Sequence, residues 1–143
     1  MKIRLIIYVF IAFALFSCAS APIRSVTIFV IQGHVYDKES NFPLNQVNVY
    51  FIDTGYDEVL SKKGTPIQIG LSDPRGKIDL RFNYLWKRKT PAFYGPLSHS
   101  FDMVLSREAY ETQKLHFKES ELKTDGITFL VNLKDVYMIR KVQ

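Results

Sequence analysis

After Ser25 the apolar residues fall in short runs that alternate with polar ones, the period of a strand with one buried face rather than of a helix. Val26-Thr-Ile-Phe-Val-Ile31 is rich in β-branched residues and continues past Gln32-Gly33 into His34-Val35-Tyr36. Gly33 inside that run predicts a bulge or a close backbone approach. Gln46 to Ile52 alternates so that Val47, Val49 and Phe51 share one face. Further strands are predicted over Ile67 to Leu71, Lys77 to Phe82, Phe101 to Leu105, Thr112 to Phe117 and Ile127 to Leu133. Asp37 to Pro43 is a turn by composition, and Ser72-Asp-Pro-Arg-Gly76 reads as the turn of a hairpin. There Pro74 presets φ, Asp73 caps with its side chain, and Gly76 supplies positive φ. Asp53 to Pro66 and Asn83 to Ser100 read as long loops, and only Glu119 to Lys123 suits a helical turn. Val136 to Ile139 are apolar enough to order the tail against the domain. Seven short strands punctuated by turns predict an all-β, antiparallel β-sandwich.

The first residues follow another rule. Lys2 and Arg4 precede an unbroken apolar run from Leu5 to Phe16. A membrane-spanning helix needs roughly 20 such residues, so this shorter run behind a positive start predicts a secretory signal peptide. Leu15-Phe-Ser-Cys18 resembles the lipobox of bacterial lipoproteins, with Phe16 departing from the usual residue at its position. That resemblance implies cleavage before Cys18, acylation of Cys18, and a signal peptide over residues 1–17. Ala19, which is not Asp, implies sorting to the outer membrane, with the protein facing the periplasm. Acyl chains contribute about 0.8 kcal/mol per buried methylene, so several of them hold a protein on a bilayer almost permanently. In the tether over residues 18–25, the seven residues Ala19 to Ser25, extended at roughly 3.5 Å per residue, keep the domain within about 25 Å of its membrane. The alternative is an ordinary signal peptide cleaved near Ala19 or Ala21, with Cys18 discarded.

Motifs spread along the body carry a second resemblance. Ile31-Gln-Gly-His-Val-Tyr-Asp37, Phe42-Pro-Leu44 with Val47-Asn-Val-Tyr50, Leu71-Ser-Asp-Pro-Arg-Gly-Lys-Ile-Asp-Leu80 and Met103 to Thr112 resemble, in that order, the carboxypeptidase regulatory-like domain. The resemblance implies a seven-stranded, transthyretin-like (Ig-like) sandwich occupying residues 26–143. Gln46 and Ala109 stand where that family usually has glycine, at positions that often need positive φ.

Composition agrees with one packed domain: 143 residues, 47% hydrophobic, 23% charged and 14% aromatic. The single cysteine excludes a disulfide framework within the chain. Losing Lys2 and Arg4 with the leader lowers 19 basic residues to 17 against 14 acidic, a net charge of about +3, so no nucleic-acid partner is implied.

Candidate chemistry is sparse. His116-Phe-Lys-Glu119 has the spacing of a carboxypeptidase zinc pair, but on a strand two side chains three apart point to opposite faces, and no histidine follows. Ser98-His99-Ser100 is poor triad geometry, and Asp53, Asp57 and Glu58 lack the regular oxygen spacing of a calcium loop. No catalytic residue, metal ligand or cofactor is predicted, and the chain is read as a non-enzyme.

Asn83 to Tyr94 concentrates Tyr84, Trp86, Lys87, Arg88, Lys89 and Tyr94, aromatic and cationic groups of the kind enriched in protein hot spots. These six are the candidate partner-binding residues. The bland alternative is that Tyr84, Trp86 and Phe93 cover an open end of the sandwich while the cations stay in water. The expected function is binding or scaffolding by an envelope lipoprotein that holds its membrane through Cys18 and contacts an envelope protein. A glycan or lipid headgroup bound at 83–94, or a role as immunity or inhibitor lipoprotein, are the alternatives.

Overall fold

The computed structural model describes residues 24–55, 64–87 and 100–142, with no side chain described for Arg24, Ser25, Trp86 or Lys87. By its contacts the chain divides into a large unit, Thr27–Tyr84 with Leu97–Gln143, and a small one, Met1–Val26 with Leu85–Pro96. Nearly all of the small unit, including the predicted leader and Cys18, lies outside the described residues. None of the described helices is long and apolar enough to cross a membrane.

The alternating runs form eight described strands: β1 (Arg24–Asp37), β2 (Asn48–Gly55), β3 (Ile67–Leu71), β4 (Lys77–Lys87), β5 (Ser100–Ser106), β6 (Gln113–Lys118), β7 (Lys123–Asp125) and β8 (Thr128–Met138). A 3-10 turn covers Glu119–Glu121. The strands build two four-stranded sheets, ordered β4-β1-β8-β7 and β3-β2-β5-β6. The expectation of an all-β sandwich is met in outline. The large unit's core lies between the sheets, where Phe29 of the first meets Phe51 and Phe101 of the second at 5.4 and 4.9 Å between ring centroids. Val47, Val49 and Phe51 are all fully buried, on the one face that their alternation requires.

Four expectations are corrected. First, eight strands are described rather than seven: Lys123–Asp125, too short and polar to register as a strand, pairs with the start of β8. Second, the sandwich is not wholly antiparallel. β1 runs parallel to β8, with Phe29 beside Phe129, Ile31 beside Val131 and Val35 beside Val136. A tight turn dictates antiparallel pairing only for strands it joins; these two are at opposite ends of the domain and free of that constraint. Third, the Ser72 to Gly76 turn forms as expected, with Asp73 Oδ1 accepting from the N–H groups of Arg75 and Lys77 and Gly76 at φ 70°. It joins β3 of one sheet to β4 of the other, so it is a crossing between sheets and not a hairpin. Fourth, Asn83 is not the start of a loop, because β4 continues to Lys87.

The predicted disturbance at Gly33 is a register shift between Gln32 and Gly33, where β8 carries the extra residue Leu133. A Cβ on Gly33 would lie 2.8 Å from both Leu133 Cβ and the Lys134 carbonyl oxygen, so only glycine fits. Gln46 and Ala109 adopt φ of 55° and 65°, the left-handed region their positions were expected to require.

Candidate functional site

Of the six residues singled out by composition, Tyr84 alone has a described side chain. Tyr84 turns into the large unit: its hydroxyl donates to Asp53 Oδ2 at 2.9 Å, and its ring lies 4.8 Å from Phe51 and 5.9 Å from Phe82. Burial and the Asp53 carboxylate push the Tyr84 phenol up to about 12. Tyr84 thus packs against the core. Trp86 and Lys87 end β4, their side chains not described, while Arg88, Lys89 and Tyr94 lie outside the described residues. Asp57, Glu58 and His99 lie outside them as well.

Two buried carboxylates carry the strongest polar geometry. Asp37, at the end of β1 and 1% exposed, takes four hydrogen bonds. The N–H groups of Glu39 and Ser40 reach Oδ1 at 2.9 and 3.0 Å. Tyr110 Oη–H and Arg140 Nε–H reach Oδ2 at 2.7 and 2.8 Å. The Ser40 N–H, then the Tyr110 hydroxyl, with Arg140 and the Glu39 N–H adding to them, hold the carboxyl well below its ordinary 3.8 against the opposing effect of burial. Tyr110 follows β5 in the second sheet, and Arg140 follows β8 in the first. Backbone bonds from Glu111 N–H to Ile139 and from Lys141 N–H to Ala109 bind the same two segments. The cluster is a latch closing one end of the sandwich, and it explains why the tail orders. Every oxygen of Asp37 is committed to that task.

Asp102, in β5, is 2% exposed although it points away from the core side taken by Phe101 and Met103. Its cross-strand neighbour His116 places Nδ1 2.8 Å from Oδ1, and Lys114 Nζ lies 2.6 Å from Oδ2. His116 is therefore oriented by Asp102, 14 residues earlier, across the ladder between β5 and β6. An acid orienting a histidine is half of a catalytic triad, but the hydroxyls nearby in register are otherwise engaged. Ser100 Oγ–H donates to the Gly55 carbonyl, and Ser100 and Thr54 share a hydrogen bond at 2.8 Å. Among the described residues no group of three His, Cys, Asp or Glu is placed to hold a metal.

The first sheet's outer face offers a different arrangement. Parallel register sets Tyr36 beside Tyr137 and His34 beside Asp135. The two tyrosine rings stack at 5.6 Å and 28°, and His34 stacks on Tyr36 at 6.2 Å and 24°. Tyr137 is 46% exposed, and the surrounding strand positions Gln32, Asn132, Lys134 and Asp135 are also exposed. The result is a row of large rings held out from a rigid sheet and bordered by polar groups. Sequence reasoning missed it. His34 and Tyr36 were assigned to the same strand, but their partner Tyr137 sits in the tail, and nothing local announces that β8 lies against β1.

No family model and no curated protein matches the chain. A solved structure similar to it is 3-chlorocatechol 1,2-dioxygenase from Rhodococcus opacus 1CP, at 13% identity and a TM-score of 0.48. The match covers 82% of this chain, which spans 62% of that one.

Proposed function

We propose that this chain is a non-catalytic envelope lipoprotein, anchored through Cys18 at the periplasmic side of the outer membrane, whose sandwich serves as a binding or scaffolding module for an envelope protein. One observation carries the binding reading: the Tyr36–Tyr137–His34 row stands on the solvent side of a sheet whose other side is filled by core. Aromatic rings already stacked on neighbouring strands lose little rotamer freedom when a partner covers them, and tyrosine supplies both apolar area and a hydroxyl. The buried acids point the same way, since Asp37 and Asp102 spend their oxygens on bonds that tie strands and segments together.

The anchoring part rests on Lys2, Arg4, the Leu5 to Phe16 run and the lipobox-like Leu15 to Cys18. Assignment to the carboxypeptidase regulatory-like, transthyretin-like type rests on the motif order and is supported by the left-handed φ of Gln46 and Ala109. Trp86, Lys87, Arg88, Lys89 and Tyr94 remain a second candidate contact segment at the end of β4, for a protein, glycan or lipid headgroup.

The test is a crosslinked pull-down of the full chain from native envelopes. Wild type is run beside Tyr36→Ser/Tyr137→Ser and beside a variant with Trp86, Lys87, Arg88 and Lys89 changed to alanine. A protein recovered by wild type and lost in the tyrosine variant supports the reading. Loss only in the 86–89 variant moves the contact to that segment, and recovery of no protein by any form overturns the scaffold reading.

A further inference from the structure

We propose that two copies of this chain associate edge to edge through β4, pairing it antiparallel about Leu80 so that Asp79 of each copy faces Arg81 of the other. This edge is separate from the aromatic row on the sheet's outer face.

A sheet edge presents unpaired backbone groups, and proteins that stay monomeric blunt such edges. The four edges among the described residues are blunted unequally. β7 has three residues, too few to template a strand. β3 has five, is interrupted by Gly70, and shifts register against β2. β6 places Lys114, His116 and Lys118 on one face, so two copies paired about His116 would set lysine against lysine. β4 is different. It has 11 residues, ends the order β4-β1-β8-β7, and carries no proline or glycine.

Its side chains complement themselves. Lys77, Asp79, Arg81 and Asn83 are exposed on one face, while Ile78, Leu80 and Phe82 alternate toward the other, with Leu80 and Phe82 only partly covered. In antiparallel pairing about Leu80, residue 79 of one copy opposes residue 81 of the other, and the two-fold axis makes this happen twice. Lys77 then opposes Asn83, Leu80 opposes Leu80, and Ile78 opposes Phe82. Neighbouring registers lose this match. Centring on Asp79 sets Asp79 against itself and Lys77 against Arg81; centring on Arg81 sets two arginines together. Centring on Ile78 leaves only the strand's first residues paired. Opposite charges directly across a ladder stabilise it and like charges destabilise it, so register and partner are chosen together. At present Asp79 holds Lys77 at 2.6 Å, an exposed pair that yields readily to a second cation, and Arg81 is in no ion pair among the described residues.

The dimer joins the two first sheets into one and puts both aromatic rows on the same side. Three inter-strand spacings separate β1 from its counterpart, roughly 14 Å. A partner with two matching sites would therefore meet a bivalent surface.

The test is sedimentation of the full acylated chain in density-matched detergent, with far-ultraviolet circular dichroism confirming that each variant is folded. Asp79→Arg alone and Arg81→Asp alone each create two like-charged pairs across the edge and weaken dimerisation about tenfold or more. The double variant Asp79→Arg/Arg81→Asp restores opposition and returns it to near the wild-type value. In addition, Leu80→Cys forms an intermolecular disulfide on mild oxidation, because residues directly opposite have Cα atoms about 4.5–5.5 Å apart. Phe82→Cys, which faces Ile78, does not. A monomeric wild type up to about 100 µM, well above the micromolar range of specific association, overturns the proposal. So does a dimer that both single charge variants leave unchanged, or a double variant weaker than either single one.

Discussion

Tyr110→Phe isolates the latch at the end of the sandwich. The change keeps the ring and removes one oxygen, which donates to Asp37 Oδ2 at 2.7 Å and accepts from Arg140 Nε at 3.2 Å. Tyr110 is 7% exposed, so water does not replace the bond freely. A hydrogen bond to a charged group contributes about 1.5–3 kcal/mol, and the three other donors to Asp37 keep the loss toward the lower figure. At about 4 °C per kcal/mol for a domain of this size, the melting temperature falls by about 6–8 °C at pH 7. The loss also depends on pH. Asp37 is held below its ordinary 3.8 in the fold, partly by Tyr110, so that stabilisation is fully present above 3.8 and fades as pH falls through the lower folded value. The melting temperatures of wild type and Tyr110→Phe therefore converge as the buffer is taken from pH 7 to well below 3.8. Circular-dichroism melts across that range, with the half-exposed Tyr137→Phe as control, provide the assay. A shift under about 2 °C at pH 7, or a gap that widens toward acid, refutes the account of the latch.

Other positions give simpler outcomes. Ala109→Gly relieves a left-handed φ of 65° at an exposed turn and raises the melting temperature by a few degrees, for a strain of about 1 kcal/mol. Gly33→Ala forces a Cβ against Leu133 and the Lys134 carbonyl, so it lowers the melting temperature or abolishes soluble expression; an unchanged melt contradicts the packed bulge. Asp102→Leu leaves Lys114 and His116 without their shared acceptor, and a nuclear magnetic resonance spectrum should show His116 losing its restrained ring position. Cys18→Ser abolishes incorporation of labelled fatty acid into the protein; a variant that still takes up the label contradicts acylation at Cys18.

The central strands β1, β2 and β5 were legible because each places alternate residues on one buried face: Phe29 and Ile31, Val49 and Phe51, and Phe101, Met103 and Leu105 are all fully buried where alternation put them. Backbone demands were legible at Gly33, Gly76, Gln46 and Ala109, while the left-handed φ of Asn41 and Lys134 left no mark in the sequence. Pairing was not. That β1 lies parallel to β8, and that the turn after β3 crosses between sheets, are decided by the whole core and leave no local mark. Both polar clusters were hidden for the same reason. Asp37 meets an arginine 103 residues away, and His116 looks toward Glu119 in sequence but binds Asp102 across a ladder. The candidate segment 83–94 was chosen by composition, which cannot tell a ring that packs inward from one that waits for a partner; Tyr84 packs inward.

Whether a partner docks on the outer face of the first sheet is read by a photo-crosslinking amino acid placed at Tyr137 in native envelopes. A second probe at Glu111, exposed but beside the latch, serves as control. Docking there yields a discrete crosslinked protein from position 137 and none from position 111. A crosslink from position 111 with none from position 137 would contradict it.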